Sequence, residues 1–245
     1  MKMMWASNKA TALPWSTLVW LVWLLVPSQV SAQPTGPPFP SDGARLVNEN
    51  DLVTIWDVTR ASDANAPMHE LAVDQVSVTL TPGTVKITRL DGSWTIEHEP
   101  LGFVRFEPRG ATRSVAVTSG NSSRVVVFQL KAGPDSVWPM TDGIPGQFPR
   151  LGAEMLFETD GFRVWDQTWS AGVRIANHFH YVPTAAVFLD GGALRTLDAN
   201  GPNPPFSRSL GDVIASTSPM AIPHSEEHVA GQPRAIWIEF RPARP

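Results

Sequence analysis

The chain repeats itself. ENDLVTIWDVT (Glu49–Thr59) matches ETDGFRVWDQT (Glu158–Thr168) at an offset of 109 residues (158 − 49), and the same offset runs without a gap from Glu49/Glu158 to Val104/Val213. Trp56/Trp165, Asp57/Asp166, Thr59/Thr168, His69/His178, Val73/Val182, Leu80/Leu189, Gly83/Gly192, Gly92/Gly201 and Gly102/Gly211 are identical along it. A constant offset held over that span marks an internal duplication, so the chain has to fold as two copies of one architecture.

Each copy reads as short strands. Val76–Leu80 and Ala185–Leu189 are β-prone runs ending near Gly turns, and Thr84–Thr88, Arg124–Leu130 and Arg234–Phe240 follow the same style. No segment carries a ten-residue helical period, and 23 prolines and 18 glycines punctuate the apolar runs. The expected class is all-β. The first copy is expected over 46–131 and the second over 155–241. The Pro- and Gly-rich stretch at 132–154 reads as a linker, and 33–45 as a Pro-rich, poorly ordered segment.

Residues 1–32 read as a secretory signal peptide. Lys2 and Lys9 precede the apolar run Leu18–Val26, Pro27 breaks it, and Val30-Ser31-Ala32 supplies small residues before a cut after Ala32. Nine apolar residues are too few to cross a bilayer as a helix, so no stable membrane insertion is expected after cleavage. The expected location is outside the cytoplasm, periplasmic or extracellular. The mature chain has 19 − 2 = 17 basic and 23 acidic residues, a formal charge of −6. That balance offers no basic patch for nucleic acid. Cysteine is absent, which removes disulfides, thiol nucleophiles and zinc–cysteine sites. There is no Gly-x-Ser-x-Gly elbow, phosphate-binding loop or dinucleotide fingerprint.

The copies diverge where chemistry could reside. His178 and His180 in the second stand opposite His69 and Leu71 in the first; PMAIPHSEEH (Pro219–His228) stands opposite PRGATRSVAV (Pro108–Val117), with Arg113 in the place of His224. Residues i and i+2 of a strand share a face, so His178 and His180 can point into one barrel, and so can His224 and Glu226. His69 is alone in its copy and reads as structural or pocket-lining; His98 and His228 have no partners at metal spacing. The Trp-Asp pairs recur in both copies and read as architecture. Asn121-Ser122-Ser123 is a glycosylation sequon.

These residues resemble the cupin superfamily, small β-barrels with a metal pocket. The family frame of Gly, five residues, His-x-His, then Glu and Gly is met by Gly172, His178-Phe-His180 and Gly191, with Thr184 at the Glu position. A later frame ending in His is met by Gly211 and His224, and in the first copy by Gly102, Pro108-Arg-Gly110 and Arg113. The resemblance implies a bicupin: two tandem jelly-roll barrels packed as an intramolecular pseudo-dimer, the first degenerate. It implies metal ligands at His178, His180 and His224 for a divalent ion (Fe, Mn or Zn); Glu226, on the same strand face as His224, is from that spacing a candidate ligand or general base. A dioxygenase-type or isomerase-type enzyme acting on a small organic molecule is the implied function. The alternative is a non-catalytic exported cupin that binds a small ligand or serves as a scaffold. A homodimer is compatible with either.

Overall fold

The computed structural model describes residues 38–62, 66–118, 121–131, 143–217 and 222–241. The expected signal peptide and its cleavage point lie outside these residues, as does the first part of the expected linker, 132–142. The described residues are all strand, turn and loop, and no helix among them is long and apolar enough to cross a membrane.

The first copy contributes β1 (Ala44–Glu49), β2 (Val53–Arg60), β3 (His69–Glu70), β4 (Asp74–Thr81), β5 (Gly83–Arg89), β6 (Trp94–Glu99), β7 (Val104–Glu107), β8 (Thr112–Val117) and β9 (Ser123–Leu130). These pair antiparallel into two sheets, β1-β2-β9-β4-β7 and β3-β8-β5-β6, the two walls of a jelly roll. The second contributes β10 (Ala153–Glu158), β11 (Phe162–Thr168), β12 (Arg174–His178), β13 (Thr184–Asp198), β14 (Gly201–Pro202), β15 (Phe206–Arg208), β16 (Val213–Ser216) and β17 (His224–Phe240). Here β13 and β17 are long enough to run through both walls, so the barrel forms one eight-stranded sheet. Register breaks at Phe188/Asp190, Asp190/Gly192 and Ala193/Leu194 let the pair bend from one wall to the other. Glycine is required at that bend: a Cβ on Gly192 would sit 2.5 Å from the Ala230 carbonyl oxygen.

The largest core lies between the barrels. Val53, Ile55, Val78, Leu80, Val126 and Phe128 of the first meet Phe162, Val164, Val187, Leu189, Ile236 and Ile238 of the second. These are the same positions of the two copies, so one self-complementary patch is used twice, in the manner of an isologous dimer interface. Strands that face the partner barrel on one side and their own interior on the other are buried on both faces. That is why SRVVVFQL has no polar alternation.

The recurrent carboxylates lock this interface. Asp57 accepts from Arg124 Nε and Nη2, both at 2.9 Å, and Asp166 accepts from Arg234 at 3.0 and 2.7 Å. The Arg124 hydrogen bonds hold Asp57 below the ordinary carboxylate range despite partial burial. Each arginine then reaches across to the other barrel: Cβ atoms on Gly211 and Gly102 would lie 2.7 and 3.4 Å from Nη2 of Arg124 and Arg234. Both glycines have positive φ, 86° and 78°, so the turn and the close approach each require them.

The repeat also starts earlier than Glu49. Phe39 stacks on Trp56 with ring centroids 5.1 Å apart, and Phe148, 109 residues on, stacks on Trp165 at 4.9 Å. FPSDG (39–43) and FPRLG (148–152) are therefore the same element. The end of the Pro-rich segment and the end of the linker stretch each belong to a barrel, because each delivers an aromatic ring to close it.

Candidate metal centre

Strand β12 ends on His178, whose Cα pairs with that of His224 at the start of β17; in the first barrel His69 pairs in the same way with Arg113. His180 follows two residues after His178 and Glu226 two after His224, so period-2 alternation turns all four side chains to one interior point. All four are buried, and one potential ligand atom from each lies within 4.8 Å of the others. The three imidazole centroids are 4.6 to 5.3 Å apart.

The backbone fixes which nitrogen faces inward. His178 Nδ1 lies 2.9 Å from the Ala176 carbonyl and His224 Nδ1 3.2 Å from that of Ile222. Each Nδ1–H donates to its carbonyl, which leaves the Nε2 lone pairs for the centre, the outer-shell arrangement that metal-ligating histidines use. His180 Nε2 is buried with no hydrogen-bond partner. Burial, and then His178 beside it, push the His180 pKa down to about 3, so the ring is neutral and can donate a lone pair near neutral pH.

The missing family glutamate is answered from another strand. Thr184 does line the cavity from the Glu position, but the carboxylate present is that of Glu226. Its Oε1 is 3.4 Å from His178 Nε2 and 3.7 Å from His224 Nε2, and its Oε2 accepts from Trp169 Nε1 at 2.6 Å. Burial alone would raise its pKa; the Arg150 guanidinium beside it reverses this and holds the carboxyl well below its usual value. Three inward-facing imidazole nitrogens and one carboxylate, converging with the unpartnered His180 Nε2 among them, fit a divalent first-row cation.

Arg150 is the residue that the sequence reading missed. Its Nη1 donates to Glu226 Oε1 at 3.0 Å and lies 3.2 Å from His178 Nε2, and its Nε donates to Gln167 Oε1 at 2.9 Å. The guanidinium carbon sits 4.9, 5.5 and 5.7 Å from the ring centroids of Phe148, Trp169 and Trp237, a buried aromatic cage. Trp169 was also missed. It follows Thr168 directly, where the first copy has Arg60.

The first barrel has no such group among the described residues. His69 Nδ1 keeps the backbone bond, 3.0 Å to the Pro67 carbonyl, but Leu71 replaces the second histidine and Arg113 is paired with Glu107. Its interior is an ion-pair network instead, with Glu99 bridging Arg60 at 3.3 Å and Arg105 at 2.7 Å. His98 is exposed, and His228 Nε2 lies 2.7 Å from the Gly231 carbonyl within its own hairpin.

A cavity of about 360 Å³ opens beside the centre, bounded by His180, His224, Glu226, Trp169, Phe188 and Phe206 among others. That is the lower end of the size range for small-molecule sites.

No protein-family profile matches the sequence, and no curated protein does. Solved structures do match. A cupin 2 conserved barrel domain protein from Leptotrichia buccalis aligns with a TM-score of 0.53 at 12% identity, over 81% of this chain and 88% of its own. Salicylate 1,2-dioxygenase from Pseudoaminobacter salicylatoxidans, in a point-variant form, aligns at 0.53 and 10% identity, over 77% of this chain and 72% of its own. Oxalate decarboxylase from Bacillus subtilis, which carries Mn(II) centres, aligns at 0.50 and 13% identity, over 80% and 70%. The fold is thus that of the cupins. This chain builds it twice, as a tandem pair around a shared core, with one buried His/Glu group among the described residues able to hold a metal.

Proposed function

We propose that this protein is a divalent-metal-dependent cupin enzyme acting on a small organic molecule in the second barrel. The observation that carries the reading is the convergence of His178, His180, His224 and Glu226 within 4.8 Å, with the Nδ1 atoms of His178 and His224 tied to the backbone. His178, His180 and His224 are the metal ligands. The depressed pKa of Glu226 suits a fourth ligand better than a general base, since a base works best with a pKa near the working pH. A bound Fe, Mn or Zn ion would supply Lewis acidity and, for the redox-active metals, oxygen chemistry of dioxygenase type. The chain's own part is to orient three lone pairs, hold the carboxylate through Trp169 and Arg150, and keep water off with the aromatic wall.

A second reading has one observation behind it. Arg150 already satisfies Glu226 Oε1 and His178 Nε2, so a metal-free, ligand-binding barrel with the guanidinium as its permanent cation is self-consistent. Metal analysis of the purified chain after loading with Fe(II), Mn(II) or Zn(II), beside His178→Ala and His224→Ala, separates the two. One equivalent in the parent, lost in both variants, supports the metal enzyme, and an oxygen-consumption screen follows. Negligible metal in all three proteins leaves the second reading. Export after Ala32 is part of the proposal, and N-terminal sequencing of secreted protein should begin at Gln33.

A further inference from the structure

The cavity beside the candidate metal centre contains a charge that no described residue answers. Arg208, at the end of β15, lies on its wall. Its guanidinium carbon is 5.4 and 5.0 Å from the ring centroids of Phe188 and Phe206, and its Nε is buried without a hydrogen-bond partner. The other arginines of this barrel are engaged: Arg150 with Glu226, Arg163 with Glu158, Arg195 with Glu227, Arg234 with Asp166, Arg241 with Glu158, and Arg174 with Ser225. Among the described arginines of this barrel, Arg208 alone has neither carboxylate nor hydroxyl.

A half-buried guanidinium on an apolar wall is costly unless an anion meets it, and ring faces offset only part of that cost. The cavity's one carboxylate, Glu226, is already held by Arg150 and Trp169. The cavity therefore has a surplus positive charge before any metal is counted, together with flat apolar surfaces. We propose that its ligand is a small organic carboxylate, the acid group taking the fork of Arg208 and an apolar body lying against Phe188 and Phe206. About 360 Å³ suits a single-ring or short-chain acid and is too small for a nucleotide or an oligosaccharide. The proposal rests on the metal-enzyme reading for what happens to the acid. The anion subsite itself rests on Arg208.

Trp169 and Trp237 line the same cavity, so tryptophan fluorescence reports occupancy. The probes are benzoate and hexanoate against the neutral benzamide and hexanamide, titrated into the full chain in EDTA and again in Mn(II). The acids should bind at least about tenfold more tightly than the amides, the scale of a charge-assisted bidentate pair. Arg208→Gln should abolish the preference and Arg208→Lys should keep part of it. If Arg208→Gln does not fold, the Arg208→Lys value decides, and an unchanged preference there overturns the proposal. Equal affinity for acids and amides, no acid binding up to about 10 mM, or a full preference in Arg208→Gln also overturns it. The preference should persist in EDTA. A chain that ignores Mn(II) but selects acids defeats only the metal reading; one that binds Mn(II) but takes acids and amides alike defeats only this one.

Discussion

Replacing Arg150 with methionine separates the structural charge of the site from its metal chemistry. Methionine keeps an unbranched stem among Phe148, Trp169 and Trp237 and removes the cation. Glu226 then loses the Nη1–H donor at 3.0 Å and retains Trp169 at 2.6 Å, so a buried carboxylate is left with half of its partners. Removing one member of a buried ion pair costs about 3–5 kcal/mol. Because the Trp169 bond persists, the lower end applies, about 3 kcal/mol. For a chain of this size each kcal/mol moves the thermal midpoint by about 2–4 °C, so the variant should melt about 6–12 °C lower in EDTA. On the metal-enzyme reading Mn(II) would restore the missing positive charge beside Glu226, and should stabilise the variant more than the parent. Adding Glu226→Gln should recover most of the loss, because the orphaned charge is gone, with a coupling energy of about 2 kcal/mol across the cycle. Urea and thermal denaturation of the four proteins, with and without Mn(II), provide the numbers. An Arg150→Met protein within about 0.5 kcal/mol of the parent in EDTA, or equal stabilisation of both by metal, would refute the argument that Arg150 shares the centre.

Acidification should unfold the metal-free chain through His180. The folded ring stays neutral down to about pH 3, whereas in the unfolded chain it takes a proton below about 6.5. The unfolded state then binds more protons, and stability should fall by about 1.4 kcal/mol per unit, about 3 kcal/mol between pH 6.5 and 4. His180→Gln should flatten that slope in urea titrations; an unchanged slope would show that another group sets it. Gly211→Ala should cost about 1–3 kcal/mol, since φ is 86° and the new Cβ would meet Arg124 and Leu80 of the other barrel at 2.7 and 3.1 Å; a neutral result in calorimetry would remove the tight contact. Phe148→Ala should cost about 3–5 kcal/mol because the ring is buried against Trp165. A loss under about 1 kcal/mol would return residue 148 to the linker.

The duplication was legible because a shared core imposes the same apolar pattern on both copies: Val78 and Val187, or Leu80 and Leu189, answer the same interface. The His-x-His spacing was legible for an equally local reason, the two-residue period of a strand. The role of Arg150 was not, since its partners lie 28 and 76 residues away and its neighbours read as linker. The repeated Phe-Pro-x-x-Gly at 39–43 and 148–152 was the available signal, hidden by the prolines around it. Glu226 could be named from its i+2 relation to His224, but only the pairing of β12 with β17 turns that relation into a carboxylate 3.4 Å from His178 Nε2. Thr184 at the family's glutamate position therefore misleads when read alone. The charge lies on a neighbouring strand.

Anomalous diffraction from crystals of the chain soaked in Mn(II) addresses the central claim most directly. The account predicts one peak in the second barrel, about 2.0–2.3 Å from the Nε2 atoms of His178, His180 and His224 and within reach of Glu226, with none in the first barrel at His69. A data set with no peak at that point, or with the Arg150 guanidinium still spanning Glu226 and His178 at saturating Mn(II), would contradict it.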